Sequence, residues 1–152
     1  MIERTLVLLK PGVLQRRIVG EVLGRFERKG LKILALRMLR MDKPMTEALY
    51  AVHLGRDFYD KLIDYTVSGP IIAMVLEGDG AIAVVRRLAG PTDINESLPG
   101  TIRGDYAALT RLNIVHASDS PETAQREIAL FFQPGDICEW EDPNACWFWG
   151  LS

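Results

Sequence analysis

The chain has 152 residues, of which 48% are hydrophobic and 25% are charged, and its formal net charge is −2. This length and composition predict one globular domain over residues 1–152, large enough to bury a core without disulfides or a structural metal. No apolar run approaches the length of a membrane span, and the lack of a basic tract argues against nucleic acid or an anionic membrane as the main partner.

The first part of the chain predicts two strands joined by a helix. An apolar run over residues 5–9 stops at a Pro-Gly turn, as expected for a buried strand. Apolar residues then recur at helical spacing from Val19, and Gly30 stands where a C-terminal helix cap is expected. A second strand is predicted over residues 33–39.

The next part predicts two helices and a third strand. A helix begins at Lys43 and carries His53 on one face. Asp57 is the candidate N-cap of a short helix over residues 58–66. Residues 71–76 are apolar throughout and β-branched at their start, which predicts another buried strand.

A long segment with little regular pattern precedes the last strand. Residues 81–89 predict a helix closed by a glycine, and residues 90–112 then show only a possible helical turn near Asp105. Irregular segments of this length are uncommon in compact domains and are usually functional. A fourth strand is predicted over residues 113–116 and a last long helix over residues 121–132.

This order of elements predicts an α+β fold. It fits a ferredoxin-like βαββαβ sandwich with a four-stranded antiparallel sheet, helices on one face and a long irregular loop before the last strand. A flavodoxin-like parallel sheet is the alternative, although the chain has few strands for it. The aromatic tail is expected to pack on the body or on a neighbouring subunit; its tryptophans are Trp140, Trp147 and Trp149.

His116 is the first candidate for chemistry because it closes an apolar run just before a helix-start signal. It is either a satisfied core histidine or a reactive one. Histidine can form a phosphoramidate when one ring nitrogen is free and a base holds the other. Glu127, at the edge of the apolar stripe of the next helix, is the candidate base, or a rim residue that reaches water. Ser118 is either a turn residue or a donor to the ring or to a phosphate.

Three cations are candidates for binding phosphate. Phosphoryl transfer depends on charge neutralisation and alignment, and Lys10, Arg86 and Arg103 each stand near the end of a predicted element or in the long loop. Each is otherwise a solvated surface charge. Arg103 is flanked by Gly100 and Gly104, which would let the backbone approach a ligand closely.

The usual phosphate-binding loops are absent from the sequence. It contains no Gly-x-x-x-x-Gly-Lys-Ser/Thr motif and no Gly-x-Gly-x-x-Gly motif after a strand. A bound nucleotide would therefore need another kind of site. Phe58, near a helix start, could stack on a base or could equally be a core aromatic.

Four motifs in order make the chain resemble the nucleoside diphosphate kinase family over residues 3–149. Residues 113–119 match the family pattern Asn-x-x-His-Gly-Ser-Asp apart from Ala117. The segments Ser-Gly-Pro at 68–70 and Pro-Gly-Thr-Ile-Arg-Gly-Asp at 99–105 also match. So do Lys-Pro at 10–11 and Val-Gly-Glu at 19–21. The family fold is ferredoxin-like, in agreement with the order of elements.

The resemblance implies a role for each matching residue. His116 would be the phosphorylated nucleophile, with Glu127 on its other nitrogen and Ser118 nearby. The residues implied to contact phosphates or the histidine are Lys10, Tyr50, Arg86, Thr92 and Arg103. Lys10 and Asn113 would reach the ribose 3′-hydroxyl, and Phe58 would stack on the base.

The chain also departs from the family pattern. Gly12-Val13 replaces an Asp-Gly pair, and Ala117 replaces a glycine, so the backbone there must accommodate a Cβ. Thr110 stands where an apolar residue often flanks the base, and Ile94 stands where many members have a proline. These changes bear on loop rigidity and subunit contacts more than on the chemistry.

The expected activity is that of a nucleoside diphosphate kinase, a phosphotransferase. The γ-phosphoryl group of a nucleoside triphosphate, typically ATP, would pass to a nucleoside diphosphate by a ping-pong mechanism through phosphohistidine at His116. One alternative is a catalytically silent nucleotide-binding or interaction protein on the same scaffold, although the candidate site residues are intact. Another is nucleic-acid binding, which the net charge disfavours.

Further expectations concern the cofactor, the assembly and the compartment. Mg²⁺ would be held mainly by nucleotide phosphates and water, since the sequence shows no dense carboxylate cluster. The resemblance implies a homo-oligomer, either a hexamer or a tetramer, and the 152-residue length and long tail favour the hexamer. Cys138 and Cys146 read as free thiols, and the N-terminus lacks a signal-peptide pattern, so a cytoplasmic location is expected.

Overall fold

The computed structural model describes residues 1–150. Within this range the strands are β1 (Ile2–Leu9), β2 (Lys32–Leu39), β3 (Ile71–Asp79) and β4 (Val115–Ala117). The α-helices are α1 (Val19–Arg28), α2 (Lys43–Leu49), α3 (Tyr59–Val67), α4 (Ala81–Ala89), α5 (Ile102–Tyr106), α6 (Pro121–Phe131) and α7 (Ala145–Trp149). Short 3₁₀ helices cover Ala51–His53, Ile94–Glu96, Thr110–Leu112 and Pro134–Asp136.

The strands form one antiparallel sheet in the order β2-β3-β1-β4. β1 lies inside the sheet and pairs with β3 over its whole length, from Ile2 opposite Asp79 to Leu9 opposite Ile72. The short strand β4 lies at the edge and places His116 opposite Leu8 of β1. The predicted α+β, ferredoxin-like sheet is confirmed.

Helices cover both faces of the sheet. Val7 and Leu9 of β1 pack in a cluster with α1 and α4, whereas Leu6 and Leu8 pack in a second cluster with residues of α2, α3 and α6. The prediction of helices on one face is therefore wrong. The physical reason for helices on both faces is the sequence of β1. Its successive apolar side chains point to opposite faces of the sheet, so both faces must be buried.

The ends of the strands also differ from the prediction. β1 and β3 include polar residues beyond their apolar centres, because the two strands pair along their full length. β4 begins only at Val115, because Ile114 has a φ of +74° and Val115 N–H donates to the Asn113 carbonyl at 2.8 Å. This tight turn reverses the chain just before the strand.

The predicted start of α2 and the predicted end of α1 agree with the structure. α2 begins at Lys43, where Asp42 accepts from Met45 N–H at 2.8 Å, and Gly30 follows α1 with a φ of +91°. The prediction that Asp57 caps α3 is wrong, because this helix begins at Tyr59 with Phe58 as its cap residue. The backbone already turns before the helix.

The tail packs on the sheet edge in part. The Trp140 indole N–H donates to the Ile33 carbonyl at 2.9 Å, and Lys32 Nζ lies 5.1 Å above the Trp140 ring. Trp147, in contrast, is 84% exposed. Among the helices of residues 1–150, none combines the length and the apolarity that a membrane crossing requires.

Candidate active site

A histidine and a buried carboxylate form the centre of the site. The Nε2 atom of His116, on β4, lies 3.0 Å from both carboxylate oxygens of Glu127, on α6. The hydroxyl of Ser118 donates to Glu127 Oε1 at 2.6 Å, and both Ser118 and Glu127 are almost fully buried. Glu127 thus contacts both the ring of His116 and the hydroxyl of Ser118.

This contact fixes which nitrogen of His116 is free. A carboxylate only accepts hydrogen bonds, so the Nε2 atom that faces Glu127 is the protonated one. Nδ1 then keeps its lone pair. Within this network Nδ1 is therefore the ring nitrogen that is not bound to the carboxylate.

The fold of α6 explains why Glu127 is buried. Ser120 caps the helix by accepting from Thr123 N–H at 3.1 Å, and the helix packs on β1 through its buried face. Glu127 lies on that face between Ala124 and Phe131, three and four residues away. The sequence had placed it only at the edge of the apolar stripe.

Tyr50 forms one wall beside the histidine. Its ring meets the His116 ring edge to face, with centroids 5.6 Å apart and an interplanar angle of 82°. Tyr50 is only 4% exposed, and this burial raises the pKa of its hydroxyl. The hydroxyl therefore stays protonated and can serve as a hydrogen-bond donor.

Lys10 and Asn113 contact each other in the interior of the protein. Lys10 Nζ donates to Asn113 Oδ1 at 2.7 Å, and both side chains are buried. Burial, and then the nearby charge of Arg103, lower the pKa of Lys10 to about 7. Its ammonium group can therefore exchange a proton near neutral pH.

Arg103 is bound to the backbone at both ends of the long loop. Its guanidinium donates to the carbonyls of Gly90 at 2.7 Å, Asn113 at 3.2 Å and Val115 at 2.7 Å. Burial and the charge of Arg86 lower its pKa to about 10, so it stays cationic at neutral pH. Three of its five N–H groups are used in this way, which leaves two for a ligand.

The glycines around Arg103 serve the loop itself. A Cβ on Gly104 would lie 2.0 Å from the carbonyl oxygen of Leu98, and Gly100 has a φ of +98°. Glycine is required at both positions by the local backbone. The structure thus gives these glycines an internal reason that the sequence did not reveal.

The remaining predicted residues, Arg86, Thr92 and Phe58, are exposed to solvent. Arg86, on α4, is exposed and donates to the carbonyl of Ala117 at 3.2 Å, next to His116. Thr92 is exposed two residues after Gly90. Phe58 is 49% exposed, so one face of its ring is available to a ligand.

Sequence reasoning missed His53 as a member of this site. Its ring lies 5.2 Å from that of Phe58 and 6.1 Å from that of Tyr50, and so connects the two. Partial burial, followed by the charges of Arg56 and His116, lowers the pKa of His53. The available signal was its spacing of three residues, about one helical turn, from Tyr50.

Ala117 fits the strand that contains it. It pairs with Val7 within β4 and is 8% exposed. It is not among the residues of positive φ, so its Cβ imposes no backbone strain. Replacement of the usual glycine therefore leaves the strand intact.

Known proteins resemble this chain along most of its length. The family model described as nucleoside diphosphate kinase matches residues 3–137. A nucleoside diphosphate kinase of Staphylothermus marinus is 57% identical over 138 residues, covering 91% of this chain and 98% of that protein. One from Treponema pallidum is 55% identical over 146 residues, covering 96% and 98%.

A solved structure matches equally well. It is a halophilic nucleoside diphosphate kinase from Halobacterium salinarum in complex with CDP. It superposes with a TM-score of 0.94 at 39% sequence identity and covers 98% of this chain and 99% of its own.

Proposed function

The chain belongs to the nucleoside diphosphate kinase family, and we propose that His116 carries the phosphoryl group during its reaction. As a member of this family it is an enzyme that transfers phosphoryl groups between nucleotides. The observation that carries the proposal is the pair of 3.0 Å contacts from Glu127 to His116 Nε2, which leave Nδ1 free.

In the first half-reaction Nδ1 of His116 attacks the γ-phosphorus of a nucleoside triphosphate such as ATP. The nitrogen–phosphorus bond forms as the bond from the γ-phosphorus to the bridging oxygen breaks, and the nucleoside diphosphate leaves with that electron pair. Nε2 keeps its proton, and Glu127 stabilises the positive charge that develops on the ring. A second nucleoside diphosphate then takes the phosphoryl group in the reverse steps, which is a ping-pong mechanism.

Positive and hydroxyl groups around His116 suit the transferred phosphates. Charge that develops on phosphate oxygens is stabilised by donors that are already in place. The proposed phosphate contacts are Lys10, Tyr50, Arg86, Thr92 and Arg103. Lys10 and Asn113 would bind the ribose 3′-hydroxyl, and Phe58 would stack on the base with little preference among bases.

Mg²⁺ is compatible with these residues if the nucleotide phosphates supply most of the metal ligands. Within residues 1–150 no three acidic, histidine or cysteine side chains cluster as a metal site. We propose that phosphate oxygens and water hold Mg²⁺, as is usual for this ion. When bound, it would offset the charge of the phosphates. The protein would contribute the cations that bind the remaining phosphate oxygens.

We further propose a homo-oligomer, with a hexamer favoured over a tetramer, that works in the cytoplasm. Leu36 and Met38 are exposed on the edge strand β2, and Trp147 is exposed in the tail, so apolar surface is available for subunit contacts. Both cysteines are free thiols, as expected in a reducing compartment. Light scattering coupled to gel filtration would measure the subunit number.

Labelling with γ-³²P-ATP and Mg²⁺ tests the proposed nucleophile. The wild-type protein should acquire label that survives alkali and is lost in acid, as a phosphoramidate is, and His116→Ala should acquire none. Undiminished label in His116→Ala would contradict the proposal. A wild-type protein that binds ADP but never labels would instead favour the catalytically silent alternative.

A further inference from the structure

The segment between α4 and β4 is closed by two sets of hydrogen bonds. The inner set is that of Arg103, described above. The outer set lies near the surface: Ile94 N–H donates to Thr110 Oγ1 at 3.2 Å, and Thr110 Oγ1 lies 3.3 Å from Asp93 Oδ1. We call the three residues Asp93, Ile94 and Thr110 the loop clasp.

We propose that Thr110 is a positioning residue that sets nucleotide affinity by keeping Thr92 in place through the loop clasp. The inference rests on the proposed function, in which Thr92 and Asn113 contact the nucleotide, and it takes Thr92 to bind a phosphate that ADP retains and not the transferred one. Thr92 directly precedes Asp93, and the 3₁₀ helix Thr110–Leu112 directly precedes Asn113. The loop clasp therefore joins the two segments that carry these contacts.

The geometry gives Thr110 both roles of a hydroxyl. Its oxygen accepts from the Ile94 amide, and its single proton is directed to Asp93 Oδ1. The same Asp93 oxygen also accepts from Asn95 N–H at 3.0 Å and so caps the short helix Ile94–Glu96. The turn that follows Thr92 is thus tied to Thr110 at two points.

The two ends of this hydrogen bond are both departures from the family pattern. A proline at position 94 would have no N–H to donate, and an apolar residue at position 110 would have no oxygen to accept it. Ile94 and Thr110 supply the donor and the acceptor together. We infer that they are a matched pair, whose hydrogen bond holds this turn in place.

Replacing Thr110 by valine or by serine distinguishes the effect of its hydroxyl group from the effect of its size. Thr110→Val keeps the size of the side chain and removes both bonds, whereas Thr110→Ser keeps the hydroxyl. Because the bonds are exposed, we expect Thr110→Val to raise the KM for ADP about three- to tenfold. Thr110→Ser should remain within about twofold of the wild type, and kcat should change little in either variant.

A phosphoryl donor that contains no nucleoside distinguishes an effect on nucleotide binding from an effect on His116 itself. Phosphoramidate transfers a phosphoryl group to histidine without needing the nucleotide contacts. Thr110→Val should therefore be labelled by phosphoramidate at the wild-type rate. Slow labelling by phosphoramidate, an unchanged KM for ADP, or an equal effect of serine and valine would each overturn the proposal.

A double-mutant cycle tests the pairing itself. Asp93 is extended, with φ −75° and ψ 112°, and position 94 is the first of a short helix, so Ile94→Pro is conformationally allowed and mainly removes the N–H. Once Thr110→Val is present, Ile94→Pro has no bond left to remove, and its effect on KM should be clearly smaller than in the wild type. Additive effects would refute the pairing. Failure of the proposed function is separate, because the wild-type protein would then not be labelled at all.

Discussion

Replacement of Lys10 by methionine is expected to stabilise the protein most at low pH. Burial and the charge of Arg103 lower the pKa of Lys10 from 10.5 to about 7, which corresponds to a cost of about 5 kcal/mol for keeping the buried amine charged. Methionine removes this cost. It also leaves Asn113 Oδ1 without the donor that lies at 2.7 Å, which costs about 1–3 kcal/mol. At pH 6 the variant should therefore be more stable by about 2–4 kcal/mol.

The sign of the pH dependence follows from proton binding. Below pH 7 the folded and unfolded chains both carry the Lys10 proton, so the full cost is present. Between pH 7 and 10.5 only the unfolded chain binds it, and the free energy of unfolding of the wild type should rise by about 1.4 kcal/mol per pH unit relative to the variant. The advantage of Lys10→Met should thus disappear between about pH 8.5 and pH 10.

Urea unfolding followed by tryptophan fluorescence at pH 6, 7, 8 and 9 measures this difference. One protein concentration should be used throughout, since subunit association enters the free energy. Lys61→Met, at an exposed position of α3, is the matched control and should show no such change with pH. Measurements should stay below pH 10. Burial raises the pKa of Tyr65 from 10.0 to about 12, so above pH 10 the unfolded chain loses this proton before the folded one and the free energy of unfolding falls. Equal pH slopes for the wild type and Lys10→Met would refute the reasoning.

Three further substitutions test other parts of the structure. Glu127→Gln can donate an amide N–H to Nε2, which favours the tautomer with its proton on Nδ1, so quench-flow measurement should find His116 labelled about 10²- to 10⁴-fold more slowly. A near-wild-type rate would contradict the assignment of Nδ1. Phe58→Ala should raise the KM for every nucleoside diphosphate by roughly 5- to 100-fold, and a loss confined to one base would contradict stacking. Gly30→Ala places a Cβ 2.8 Å from the Phe148 ring at a φ of +91°, so urea unfolding should show a loss of about 1–3 kcal/mol, whereas unchanged stability would contradict the strain.

The order of elements was predictable because the apolar runs and helix signals are strong. The helix Ala81–Ala89 occurs as expected from its periodicity and its closing glycine. The sequence could not distinguish a sheet covered on one face from a sheet covered on both. That distinction depends on which helices return to which face, although the unbroken apolar run of β1 was compatible with burial on both.

The centre of the site was more predictable than its surroundings. Spacing alone left Glu127 as either a base or a rim residue, the family resemblance implied its contact with His116, and that contact is present in the structure. The three carbonyl partners of Arg103 were not predictable, because they come from backbone that the long loop brings together only after folding. The left-handed conformation of Ile114 was equally hidden, since a β-branched residue gives no sequence signal for it.

The pairing of the first and last strands has a consequence for when activity appears during synthesis and folding. β4 is three residues long and, within residues 1–150, pairs with β1 alone, and the helix that carries Glu127 follows it in the chain. A growing chain that has emerged as far as β3 therefore lacks both His116, the proposed nucleophile, and Glu127. Contacts between such distant parts of the chain form late because loop closure has an entropic cost. The first appearance of phosphohistidine on newly made or refolding chains would consequently mark completion of the sheet, later than the first formation of helices.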